Sequence, residues 1–158
     1  NKDDTPLHIV ARYCKVNAKD IVNLLLNYGA DVNIYNILSL RPIDVAILEN
    51  NKEAVEAILC NQGLVSNLNI DERIGENITR DKKYQHIFSG QETALHLAAY
   101  IGNQYIIDLL LNAGIDRSIR NNEGLTAEDI AIKKHDYHDY IVNSLRSLSV
   151  TLPVLSSK

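Results

Sequence analysis

Thr93-Ala94-Leu95-His96-Leu97-Ala98-Ala99 has three counterparts in the same chain. Thr5-Pro6-Leu7-His8-Ile9-Val10-Ala11 lies near its start, followed by Arg41-Pro42-Ile43-Asp44-Val45-Ala46-Ile47 and Thr126-Ala127-Glu128-Asp129-Ile130-Ala131-Ile132. Thr93 to Thr126 is 33 residues; the other two intervals are 36 and 52, or 33 with additions of 3 and 19. A second segment follows each run. It reads Ile21-Val22-Asn23-Leu24-Leu25-Leu26 in the first copy, Ala54-Val55-Glu56-Ala57-Ile58-Leu59 in the second and Ile106-Ile107-Asp108-Leu109-Leu110-Leu111 in the third. Ile141-Val142-Asn143-Ser144-Leu145 is a weaker fourth. Apolar residues three and four apart give each segment one buried helical stripe. A repeat of this length, made of two helices, builds a solenoid in which each unit buries its apolar face on its neighbours.

The Thr-Pro-Leu-His start, the second-helix segment and the 33-residue period together resemble the ankyrin repeat, over nearly the whole chain. The resemblance implies an all-α solenoid of helix-turn-helix pairs with short β-hairpin-like fingers. The expected domain covers residues 1–148, with repeats at about 1–35, 36–63, 88–120 and 121–148, an insertion at 64–87 and a tail at 149–158. The helices are expected at 4–11, 17–27, 41–49, 52–61, 93–101, 104–112, 126–133 and 138–147.

Local chemistry supports this register. Gly29, Gly63 and Gly114 follow the last apolar residues of their helices, where a left-handed C-cap is easiest without a Cβ. Gly102 has the same place between the helices of repeat 3. Asn50, which tolerates that conformation, replaces it in repeat 2, and His135 stands there in repeat 4. Thr5, Thr93 and Thr126 are positioned to cap their helices, and Pro6 and Pro42 sit in the first turn, where no amide donor is lost. Arg41 lacks the capping hydroxyl, so repeat 2 is expected to start less firmly by about 1 kcal/mol. His8 and His96 look like the family's structural histidines, which hydrogen-bond within and between repeats.

Composition bounds the function. The chain has 158 residues, 46% of them apolar, and a net charge of −4. No apolar run approaches the ~20 residues that cross a bilayer, so membrane insertion is not expected. Lys82-Lys83 and Lys133-Lys134 are too short to track a phosphate backbone, which argues against nucleic acid. Cys14 and Cys60 lack metal-ligand spacing and read as reduced thiols of an intracellular protein, cytoplasmic or in a host's cytoplasm. The seven glycines form no phosphate-cradling loop, and no nucleophile–base grouping stands out. His135 and His138 share a helix face, but two ligands alone make a weak metal site. No enzyme activity and no cofactor are expected. Repeat 1 begins almost at its first helix, without a polar capping repeat, as in a fragment of a longer protein.

The resemblance implies a monomeric, non-catalytic module that binds another protein through its concave face and finger tips; the alternative is a recruiting arm of a larger multidomain enzyme or toxin. Carried over position by position, the contact residues are Arg12 and Tyr13; Tyr35, Ile37, Leu38 and Leu40; Leu48 and Glu49; Tyr100 and Ile101; Arg120, Asn122 and Glu123; and Lys133 and Lys134. One finger departs from the family: Asn36-Ile37-Leu38-Ser39 lacks the Gly of Asn121-Asn122-Glu123-Gly124 and carries apolar residues. That finger is either an exposed interaction patch or covered by the insertion. Loops as long as the connection between Gly63 and Thr93 are uncommon, and this one is either a tolerated surface loop or a partner-contacting one. Its Leu64, Val65, Leu68 and Ile70 could dock on the solenoid.

Overall fold

The computed structural model describes residues 3–61, 68–75, 82–84, 86–134 and 139–146. Eight helices appear among them: α1 (Pro6–Tyr13), α2 (Ala18–Asn27), α3 (Pro42–Leu48), α4 (Lys52–Cys60), α5 (Ala94–Ile101), α6 (Gln104–Asn112), α7 (Ala127–Lys134) and α8 (Asp139–Arg146). They stack as two layers. The first helices of the pairs, α1, α3, α5 and α7, pack in succession, and so do the second helices, α2, α4, α6 and α8. This is the expected all-α solenoid, and the described residues contain no strand. Ala46, Ala54, Ala57, Ala98 and Ala99 are buried in one core with the larger Leu7, Ile43, Ile58, Leu95 and Ile106. Each of these larger side chains contributes about 1.5–3 kcal/mol by leaving water.

Caps fix where the helices begin. Asn51 and Asn103 accept hydrogen bonds from Ala54 and Ile106 N–H, at 3.2 and 3.3 Å. The Asn51 amide also donates to the carbonyls of Ala11 and Cys14, at 3.0 and 2.7 Å, so one side chain starts α4 and satisfies the end of α1. Asn50 and Gly102 take the left-handed turn between helices, as their residue types predict.

The fingers before α3 and α7 use the same tight turn. Asn36 N–H donates to Leu40 O, and the Asn36 side-chain oxygen accepts from the N–H groups of Leu38 and Leu40. Asn121 makes the same bonds with Leu125 and Glu123. One left-handed residue stands before the first helix of each pair: Asp3, Ser39, Gln91 and Gly124, with φ of 52°, 57°, 64° and 74°. The finger without its glycine therefore keeps the turn and accepts a strain of about 1–2 kcal/mol at Ser39.

Arg41 departs from expectation. Its backbone N–H donates to Asp44 Oδ2 at 2.9 Å, and its Nε and terminal nitrogen donate to the two Asp44 oxygens at 3.0 and 3.1 Å. Asp44 thus caps α3 from inside the helix, and the missing hydroxyl is replaced by a fully buried bidentate pair.

His8 and His96 do bridge repeats. Thr5 N–H and Thr93 N–H donate to the Nδ1 atoms at 3.1 Å, which leaves Nε2 as the protonated nitrogen. Nε2 of His8 donates to Leu40 O at 2.8 Å, and that of His96 to Leu125 O at 3.1 Å. Burial, only partly offset by these carbonyls, lowers both imidazole pKa values from the ordinary 6.5. Both rings are thus neutral in the fold and protonate more readily in the unfolded chain. The stability they provide is complete above pH 6.5 and is lost as pH falls below it. The urea midpoint is accordingly expected to fall between pH 7.5 and 5.5; an unchanged midpoint would contradict neutral, buried imidazoles.

Candidate interaction surface

The insertion is docked on the solenoid in two places. At the fingers, Ile74 is buried, and its N–H donates to Glu92 O at 2.7 Å. Arg73 donates to the carbonyls of Gln91 and Arg120, Asp116 N–H donates to Asp71, and Arg41 donates to Asn69 O. Residues 69–74 thereby touch three of the four fingers. Gly75 passes so close to Ser39 that a Cβ there would lie 2.6 Å from the Ser39 Cβ, so only glycine fits without a shift. Leu68 and Ile70 pack against the core, as anticipated, whereas Leu64 and Val65 lie outside the described residues.

The second docking point is on the first-helix layer, where α1 and α3 end. Tyr84 is buried, and its hydroxyl donates to Glu49 Oε1 at 2.5 Å while accepting from Arg12 at 3.1 Å. Lys83 Nζ donates to the same Glu49 oxygen at 2.6 Å, and Arg12 also reaches Asp4 at 3.3 Å. Burial alone would raise the Glu49 pKa. The hydrogen bonds from Lys83 and Tyr84, with the charges of Lys83 and Arg12, hold it below the usual range. The chain thus fills this part of its own surface.

Several expected contact residues are consequently internal. Arg12 is 7% exposed and committed to Tyr84, Glu49 and Asp4. Leu38, Leu40 and Leu48, at 6%, 0% and 7%, belong to the hydrophobic core, so of this finger's two tip apolar residues only Ile37 is exposed. Tyr35 is half-exposed; burial and a hydrogen bond to Glu72 push its phenol up to about 12. Tyr13 stands free on the surface of repeat 1.

Between α5, α7 and the last finger the same layer is open. A cavity of about 310 Å³ is lined by His86 and Ile87 of the insertion, Phe88 and Ser89 at the start of repeat 3, Tyr100 of α5, Asn121, Glu123 and Leu125 of the last finger, and Ile130, Lys133 and Lys134 of α7. Ile87, Phe88, Leu125 and Ile130 give it apolar walls. Lys134 Nζ lies 4.3 Å from the Tyr100 ring centre and donates to its hydroxyl at 2.9 Å. His86 meets that ring edge-on, with centroids 6.3 Å apart. Lys133 is 3.6 Å from Glu123 on the exposed rim. Tyr100, Glu123, Lys133 and Lys134 were among the expected positions and are brought together here. Arg120, Asn122 and half-buried Ile101 do not line the cavity; Arg120 pairs with Asp129 and Asn122 N–H donates to Gly90 O.

The ankyrin repeat family model matches residues 2–37 and 91–122. The chain is an ankyrin-repeat protein. Among its relatives, alpha-latrotoxin-Lg1a of Latrodectus geometricus is 35% identical over 73% of this chain. A putative ankyrin repeat protein of fowlpox virus is 30% identical over 84% of it, and the human ankyrin repeat and SOCS box protein 5 is 50% identical over 35%. The matched stretches cover 7%, 34% and 15% of those proteins' lengths, respectively. Ankyrin repeats are in general protein-interaction modules. Among the described residues, no helix of this ankyrin domain is long and apolar enough to cross a membrane, and no three His, Cys, Asp or Glu residues cluster as metal ligands. The His135–His138 pair lies outside the described residues.

Sequence reasoning missed Tyr84, His86 and Phe88. The only available signal was an aromatic-apolar run inside a segment otherwise read as a loop.

Proposed function

We propose that this ankyrin domain is a non-catalytic module that binds a protein partner on the repeat 3–repeat 4 part of its first-helix layer. The observation that supports this is the asymmetry of that layer. Tyr84 and Lys83 occupy the α1–α3 end, while the α5–α7 end keeps an open cavity with apolar walls and a rim of Tyr100, Lys133, Lys134 and Glu123. An apolar or aromatic side chain of the partner fits such a site, since binding energy concentrates at a few buried anchors. The exposed lysines would mainly set association rate and salt dependence. A partner-recruiting arm of a longer protein is the second reading, favoured by the small share of each relative that the chain spans.

The test begins with partner capture by cross-linking and mass spectrometry, followed by affinity measurement with the purified partner. Tyr100→Ala is expected to weaken binding at least tenfold, about 1.4 kcal/mol, with an unchanged melting temperature. Tyr13→Ala, on the far end of the layer, is expected to have no effect. If Tyr13 carries the loss instead, the contact surface is not the α5–α7 cavity.

A further inference from the structure

The insertion shows what one register position of the first-helix layer receives. Counted from Thr5, Arg41, Thr93 and Thr126, the residues seven and eight places on are Arg12 and Tyr13, Leu48 and Glu49, Tyr100 and Ile101, and Lys133 and Lys134. The seventh residue of one first-layer helix meets the eighth of the next. Arg12 lies 3.3 Å from Glu49, and Lys134 donates to the Tyr100 hydroxyl at 2.9 Å. At the Arg12–Glu49 pair the occupants are two sequence neighbours of the insertion. Tyr84 is buried with its hydroxyl bonded to both residues, and the Lys83 amine pairs with Glu49 at 2.6 Å. An aromatic ring thus provides the burial, and the residue beside it provides the charge opposite to that of Glu49.

At the Tyr100–Lys134 pair the charge is inverted. Lys134 stands where Glu49 stands two repeats earlier, and Lys133 lies next to it on the rim. Ile87, Phe88 and Ile130 offer apolar walls for a ring, as the site of Tyr84 does. Among the described residues no carboxylate comes within ion-pair distance of Lys134. Glu123 reaches Lys133 at 3.6 Å with both side chains largely exposed, a kind of pair that contributes little. Two ammonium groups therefore face one carboxylate on this rim, although the chain as a whole carries a net charge of −4.

We propose that the α5–α7 cavity takes an acidic segment of a protein partner, in which an aromatic residue is flanked by Asp or Glu, the charge-reversed counterpart of Lys83-Tyr84. The inference rests on the reading of this cavity as the partner site and adds the chemistry of what enters it. The ring is held by the apolar walls, and the flanking carboxylates accept from Lys133 and Lys134. A basic segment would set its ammonium groups against the same lysines, which charge complementarity disfavours.

The test titrates the isotope-labelled chain with two peptides that share one aromatic residue, Gly-Ser-Glu-Tyr-Glu-Ser-Gly and Gly-Ser-Lys-Tyr-Lys-Ser-Gly, and follows its amide NMR signals. The acidic peptide is expected to shift signals of α5 and α7 and to bind about fivefold more tightly than the basic one, the effect of two exposed ion pairs. Non-specific attraction to a chain of negative net charge would give the opposite order. Lys133→Gln with Lys134→Gln is expected to make the two peptides equal, and Lys133→Glu with Lys134→Glu to reverse their order, with folding read from the same spectra. Equal binding by the unsubstituted chain, a preference for the basic peptide, or no shift at α5 and α7 from the acidic peptide at millimolar concentration overturns the proposal. Loss of affinity of the captured partner on Tyr100→Ala decides separately whether the cavity is the partner site.

Discussion

Arg41→Ala is expected to lower stability by about 3–5 kcal/mol, read from the urea midpoint of the chain. The size follows from what is left behind. Asp44 is 0% exposed, and its two oxygens receive three hydrogen bonds from Arg41, one from the backbone and two from the guanidinium. Truncation keeps the backbone bond but leaves a buried carboxylate without its charge partner, the condition that makes breaking a buried pair costly. It also removes the donor to Asn69 O, so the insertion loses an anchor at the same time. Repeat 4 offers an internal comparison. There Thr126 fills the position of Arg41 and Asp129 that of Asp44, with the Thr126 hydroxyl and N–H both donating to the carboxylate at 2.9 Å. Arg41→Thr can rebuild that arrangement and is expected to cost less than Arg41→Ala. Replacing both partners, as Arg41→Met with Asp44→Leu, is expected to cost less again, because no charge is then stranded. A loss within 1 kcal/mol for Arg41→Ala would show that the pair does not hold the start of repeat 2.

The ease of reading the solenoid and the difficulty of reading its surface have one physical origin. Helix pairs are set by spacing within about ten residues and by caps such as Thr93, Asn103 and Gly102, all local. Every helix expected from the period is present, with ends shifted by at most two residues. Arg41 was misjudged because its capping value lies in a bond to Asp44 that a hydroxyl-centred rule does not count. Docking of the insertion depends on contacts 18–72 residues apart, such as Arg73 to Gln91 and Arg12 to Tyr84, which leave no periodic trace. The contact set carried over from the family presupposed an empty first-helix layer. Tyr84 occupies part of it, so Arg12 and Glu49 are engaged within the chain while Tyr100 and Lys134 line an open cavity.

Leu38→Asp is expected to destabilise the chain by about 3 kcal/mol or more, whereas Ile37→Asp is expected to stay within about 0.5 kcal/mol. The two residues are adjacent in a finger that reads apolar throughout, so the difference rests on the turn. Asn36 holds Leu38 N–H and Leu40 N–H on its side-chain oxygen, which fixes the backbone and sends Leu38 inward at 6% exposure and Ile37 outward at 54%. An aspartate at the inner position forfeits the apolar burial of a leucine and places a carboxylate among core side chains with no basic partner designed for it. At the outer position it is solvated, as ordinary surface substitutions are. The same pair separates core from contact surface. With the binding site at the α5–α7 cavity, folded Leu38→Asp retains its partner affinity, and only the folded fraction falls. Equal urea midpoints for the two variants would place Leu38 outside the core; an unchanged midpoint with tenfold weaker binding would return the finger to the contact surface.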